Sequence, residues 1–115
     1  MTVNDIIKIL NANIITASNL NTEVKTACGS DMMSDVLAYV KDQSVLITGL
    51  VNPQVVRTAD MMDIKCIVFV RGKEPDETVI KLAQEKAITL ISTKLRMFTT
   101  CGLLYTHGLR GGCEV

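Results

Sequence analysis

Eight residues in the middle of the chain have the types and spacing to hold an anion: Thr48, Gly49, Asn52, Arg71, Gly72, Lys73, Ser92 and Thr93. They sit at or just after three apolar runs, Val45-Leu46-Ile47-Thr48, Cys66-Ile67-Val68-Phe69-Val70 and Ile88-Thr89-Leu90-Ile91. Glycine lets a backbone come close to a ligand. Arg71 and Lys73 bring full positive charge, and Ser92 and Thr93 bring hydroxyl donors. A helix starting beyond each turn adds unpaired N–H groups and about half a positive charge. Such a rim suits a phosphate, a carboxylate or a nucleotide. Neither glycine falls in a G-x-G-x-x-G or G-x-x-x-x-G-K pattern, so the rim is not a recognised dinucleotide or nucleoside-triphosphate loop. The same residue types also make ordinary turns and caps in any α/β fold. Arg71-Gly72-Lys73-Glu74 also reads as a solvated turn.

The rim exists only if the three runs are parallel strands. From Val45 to Lys94 the chain repeats one unit: apolar run, turn, helical pattern. That order calls for a parallel sheet with crossover helices. It brings all three turns to the carboxyl edge, where such sheets bind ligands. The two prolines, Pro53 and Pro75, stand where the first two of these helices should begin. Val55, Val56, Ala59 and Met62 give one buried face, and Val79, Leu82, Ala83 and Ala87 another. A last helix over 94–105 is expected to point Leu95, Phe98, Cys101 and Leu104 inward and to stop at Gly108.

Upstream, Thr2 or Asn4 caps a helix over 5–11 with Ile6, Ile7 and Leu10 on one face. Asn13-Ile14-Ile15-Thr16 reads as a short strand. Residues 23–27 read as a weak edge strand ended by Gly29. Ser30 then caps a helix with Asp31 in its first turn, and Met32, Met33, Val36, Leu37 and Val40 follow at helical period. Gly29-Ser30-Asp31 joins the same rim if the strand before it is parallel; capping alone also explains it. The fold class is therefore α/β: a mainly parallel sheet of four or five strands with crossover helices, in a single compact domain over 1–109. Residues 110–115 are expected to form a flexible tail.

Composition limits the partners. The chain has 115 residues, 48% hydrophobic and 21% charged, which fits one globular domain. Its 12 basic and 12 acidic residues balance to a net charge of +0, which argues against a duplex nucleic-acid partner. Aromatics are 3%, too few for stacking single strands. No apolar run approaches a membrane span of roughly 18 residues, and the first residues lack the basic start of a signal peptide. The cytoplasm is the expected compartment, with neither nucleic acid nor membrane as partner. Cys28, Cys66, Cys101 and Cys113 are far apart, and His107 lacks a ligand at helical spacing, so no metal or cofactor is expected. Cys66 and Cys101 read as small core residues, and Cys113 as the reactive thiol. His107 sits where the last helix exposes its carbonyls.

Other features suggest contacts. Arg57 is expected to pair locally with Asp60 or Asp63, or else to cross a dimer interface. In Met32-Met33 and Met61-Met62 one member should face the core and the other the surface, where a flexible thioether suits an adaptable contact.

Gly49-Leu50-Val51-Asn52-Pro53-Gln54-Val55-Val56-Arg57-Thr58-Ala59, followed by residues 64–75, resembles the DRTGG domain, a small α/β module. Residues 88–93, Phe98 and the opening helix with Ile14-Ile15 also fit its pattern, so the resemblance covers nearly the whole chain. No Asp-Arg-Thr-Gly-Gly run is present; Arg57-Thr58-Ala59 and Val70-Arg71-Gly72 occupy related places. The resemblance implies a regulatory or dimer-forming module. Similar segments lie between cystathionine-β-synthase-type domains of some pyrophosphatases and ahead of the catalytic domain of some phosphotransacetylases. The expected function is thus a non-catalytic, homodimeric regulatory module sensing a small anionic metabolite or nucleotide. The alternative is a ligand-free scaffold bound to a partner enzyme. An enzyme using Ser92 or Thr93 with Arg71 would need carboxylates for Mg²⁺, and the rim offers only Glu74.

Overall fold

A computed structural model describes residues 1–112. The elements run α1 (Val3–Leu10), β1 (Asn13–Thr16), β2 (Thr26–Gly29), α2 (Met33–Tyr39), β3 (Ser44–Thr48), α3 (Pro53–Met61), β4 (Cys66–Phe69), α4 (Glu77–Glu85), β5 (Thr89–Ser92) and α5 (Met97–Thr106). The five strands lie in the order β1-β5-β4-β3-β2. β2, β3, β4 and β5 are mutually parallel, and β1 is antiparallel to β5 with an irregularity between Ile14 and Thr16.

Consecutive parallel strands step one way across the sheet. Their crossover helices α2, α3 and α4 therefore share one face. There they cover Leu46, Ile67, Phe69 and Leu90 with Val36, Val55, Val56, Ala59, Val79 and Ala83. α1 and α5 cover the other face, where Val45, Ile47, Cys66, Val68 and Ile91 meet Val3, Ile6, Leu10 and Leu104. The split follows the two-residue strand period, since neighbouring residues point to opposite faces. Both faces are covered, so the central strands are apolar throughout rather than alternating. Phe69 is fully buried in the central strand. Truncating such a ring to Ala costs about 3–5 kcal/mol.

Local chemistry sets the helix starts. Thr2 and Asp5 form a reciprocal capping box on α1. The backbone hydrogen bond from Thr2 holds the Asp5 carboxyl below its ordinary range. Asn52 caps α3 with Pro53 in its first turn, as expected. Asp76, not Pro75, caps α4; Pro75 lies one residue ahead of the cap and is buried. Ala87 falls beyond the end of α4, exposed, at φ 56.

Several expectations are corrected. β2 ends at Gly29, its last residue, but starts at Thr26 rather than at Glu23. Ser30 does not cap α2. Its hydroxyl accepts from Met32 N at 2.9 Å, and the helix starts at Met33, which leaves Asp31 outside it. α5 starts at Met97, and Phe98 points outward with 88% of its surface exposed. Arg57 pairs with neither acid: Asp60 meets Lys86 at 3.5 Å and Asp63 meets Lys65 at 3.0 Å. The methionine pairs split as expected, with Met32 and Met61 exposed and Met33 and Met62 half-buried. Of the proposed tail, Arg110 pairs with the edge of β2 through Ala27 N–H to its carbonyl at 2.9 Å. Its guanidinium lies 3.8 Å over the Tyr105 ring. Cys113 lies outside the described residues.

Candidate functional site

The parallel register makes the strand exits level. Thr48 pairs with Phe69, and Phe69 with Ser92. The turns after β3, β4 and β5 therefore share one edge of the sheet, and the turn after β2 joins them because Gly29 pairs with Ile47. All eight expected residues fall on this edge, but they do different work.

Three of them hold the edge together, and a fourth, Ser92, is buried in it. Thr48 Oγ1 donates to Asp31 Oδ1 at 3.1 Å and accepts from Leu50 N at 3.1 Å. Thr93 Oγ1 donates to the Leu10 carbonyl at 3.1 Å and accepts from Leu95 N at 3.3 Å. These two threonines are the same device at two exits: a buried hydroxyl that turns the chain and ties it to a neighbour. Asn52 Oδ1 accepts from Val55 N at 3.3 Å, a helix cap. Ser92 is 3% exposed, in the last position of β5.

The exposed polar groups of the rim are concentrated on the turn after β4. Arg71 and Gly72 both take left-handed backbone, with φ 61 and 67. Lys73 N donates to the Val70 carbonyl at 3.2 Å and closes the turn. Arg71 N and Gly72 N donate to the Leu95 and Thr93 carbonyls, each at 2.8 Å, so the turn is pinned to the loop after β5. A left-handed conformation is costly for a residue with a Cβ, about 1–2 kcal/mol. Arg71 nevertheless occupies it, and its guanidinium then lies across Gly49. A Cβ on Gly49 would collide with Arg71 Nη2 and stand 3.1 Å from Cζ. A side chain on Gly49 would have to displace the Arg71 guanidinium, so the group that comes close to this glycine is Arg71. Among the described residues Arg71 and Lys73 make no ion pair.

Asp31 lies on the rim, the placement expected if β2 is parallel, and not in the first turn of α2. As a member of a helix first turn it would only balance a dipole. Here its Oδ1 accepts from Gly49 N at 2.7 Å as well as from Thr48 Oγ1. It also lies 3.4 Å from the position a Gly49 Cβ would take, beside Arg71. The rim thus presents a carboxylate and a guanidinium side by side over a glycine. It can hold an anion through Arg71 and Lys73, and a hydroxyl or N–H donor through Asp31. Thr93 also lines a cleft of about 330 Å³ with Ile9, Leu10, Asn11, Asn13, Lys94 and Leu95.

The remaining ionisable groups are structural. Burial pushes the Cys66 thiol up to about 12 and raises Cys28 and Cys101. His107 Nδ1 lies 2.8 Å from the Leu103 carbonyl at the end of α5. Among the described residues no three of His, Cys, Asp and Glu gather as a metal site, and no helix is long and apolar enough to cross a membrane.

The model of the DRTGG domain matches residues 5–106, nearly the whole fold just described. The chain belongs to the DRTGG domain family. A solved relative is the crystal structure of the CBS and DRTGG domains of the regulatory region of Clostridium perfringens pyrophosphatase, complexed with its activator diadenosine tetraphosphate. It superposes with a TM-score of 0.75 at 16% identity and covers 99% of this DRTGG domain and 52% of its own chain. The chain therefore spans about half of that structure, and at this identity the likeness is one of fold. No curated protein matches the sequence.

Proposed function

We propose that this DRTGG domain is a non-catalytic, homodimeric regulatory module. In this reading it works in the cytoplasm and binds a small anionic metabolite or nucleotide at the carboxyl edge of its sheet. One observation carries it. Arg71 lies across Gly49 at the level exits of three parallel strands and makes no ion pair among the described residues. Gln43, Asp63 and Ala87 take the same left-handed backbone at exposed turns, so it is the direction given to the guanidinium that matters. An anion-holding residue gains a preset direction, with Lys73 beside it. The fold relative adds support: that regulatory region binds an activator rich in phosphate.

The ligand acts by preferring one of two dimer arrangements, because only a difference in affinity can shift such an equilibrium. Catalysis is disfavoured by the state of its candidate nucleophiles. Ser92 is buried, and the Thr93 hydroxyl is committed to Leu10 and Leu95.

A thermal-shift screen against nucleotides and phosphorylated metabolites tests the reading. A ligand at 100 times its Kd adds about 2.7 kcal/mol. That raises the melting point of a chain this size by about 10 °C. Arg71→Gly keeps the left-handed turn and removes the cation, so it should abolish the shift. A hit whose affinity Arg71→Gly leaves unchanged would refute the rim.

A second reading rests on Met32 and Met61, which are 61% and 69% exposed. They suit a ligand-free scaffold docked on a partner enzyme. Copurification at fixed stoichiometry, with no hit in the screen, would favour it.

A further inference from the structure

We propose that the outer face of α5 is the surface on which two copies of this chain meet, paired about a two-fold axis. The inference rests on the homodimer of the preceding reading and names the face that reading leaves open.

Three observations converge on α5. First, residues 97–106 contain no Asp, Glu, Lys or Arg. A helix on the surface normally carries charge on its outer side, and α5 carries none. Second, Phe98 is 88% exposed and Tyr105 is 51% exposed. With Cys101 between them they fall at i, i+3 and i+7, one stripe of the helix. Third, Gly102 sits exposed in the middle of α5, and a Cβ built there would meet nothing within 4 Å. Glycine in a helix interior costs about 0.5–1 kcal/mol relative to Ala. Among the described residues no close approach uses the missing Cβ; a partner's close approach would.

The occupant is a second copy because knob and socket lie on the same face. Phe98 is the knob. Two turns along, beside Cys101 and Tyr105, lies a cavity of about 150 Å³, bounded also by Ala27, Gly29, Ile47 and Leu109. Arg110, over the Tyr105 ring, forms one wall. An apolar cavity of roughly that size holds a benzene ring. A two-fold axis across the middle of α5 carries each Phe98 to the other copy's cavity, and the contact closes on itself. It runs the two helices antiparallel over Gly102 with their dipoles opposed. Like-on-like contact brings equal charges together; α5 itself carries none, and Arg110 at its edge is held over the Tyr105 ring. A stable dimer needs about 800 Å² from each partner. α5, Arg110 and the adjoining β2 edge are the surface that must supply it.

Sedimentation equilibrium on the full chain tests the inference, with Phe98→Glu and Gly102→Glu. Both positions are exposed, and Glu is a good helix former, so neither change should disturb the monomer; matching circular dichroism checks this. The wild type should sediment at twice 12.6 kDa. Both variants should self-associate about a hundredfold more weakly. Folded variants that dimerise like the wild type would overturn the α5 face and leave the homodimer standing. A wild type that stays monomeric at high micromolar concentration would overturn both, while the anion reading would still be judged by its own thermal-shift screen.

Discussion

Asp31→Ala gives the sharpest test of how the rim is built. The change removes the acceptor of two hydrogen bonds, from Gly49 N at 2.7 Å and Thr48 Oγ1 at 3.1 Å. Gly49 is buried and Thr48 is 0% exposed, so neither donor finds water easily. A hydrogen bond to a charged acceptor contributes about 1.5–3 kcal/mol, and a stranded buried donor costs about 1–3 kcal/mol. Asp31 is itself exposed, so water filling its place returns part of this. The net expectation is a loss of about 2–3 kcal/mol. Asp31→Asn keeps an acceptor oxygen and loses only the charge, so about 1 kcal/mol is expected. Urea denaturation followed by circular dichroism reads both. With a slope of about 1.5 kcal/mol/M, the midpoint should fall by about 1.5 M for Ala and by less than half of that for Asn. The slope should not change. A midpoint for Asp31→Ala within about 0.3 M of the wild type would show that Asp31 does not hold the β3 exit.

Three other outcomes follow from the packing. Gly29→Ala should destabilise by about 1–3 kcal/mol in the same urea assay, because its Cβ would stand 2.7 Å from Cys101 Sγ and push α5 off β2. Thr100→Val should stabilise by about 1 kcal/mol, read as a melting point raised about 4 °C, because Thr100 Oγ1 is buried with no hydrogen-bond partner among the described residues. The Cys66 thiol is held protonated when folded, up to about 12 against an ordinary 9.0, so the folded chain releases its proton later than the unfolded one. That contribution to stability is complete below pH 9.0 and is lost as pH rises toward about 12. Cys66→Ala should flatten the alkaline fall in stability measured across that window, after allowing for its own cavity.

Much of this fold was readable before any coordinates. The apolar runs at 45–48, 66–70 and 88–91 announce strands buried on both faces. Asn52-Pro53 announces a helix start because capping and a fixed φ act within three residues. The level exits followed once the strands were taken as parallel. Asp31 was legible as a rim residue given a parallel β2, but not its role, because Ser30-Asp31 also looks like a cap and its partners, Thr48 and Gly49, lie at the end of another strand. Phe98 was misread because its spacing matches Leu95 and Cys101, yet the helix starts at Met97 and turns that position outward. Arg57 was given the nearest acids, while those acids pair with Lys86 and Lys65.

The amino-acid order alone determined the element types, the parallel direction of the core strands and the edge on which the polar turns gather. These follow from periodicity, caps and the length of the crossovers, all of which are local. Only the tertiary structure decided that Arg71 lies over Gly49 beside Asp31, that Thr48 and Thr93 are braces, and that α5 turns Phe98 to solvent. Each of these depends on which distant side chain arrives at a shared edge. That is settled by the packing of whole layers, and no short stretch of sequence encodes it.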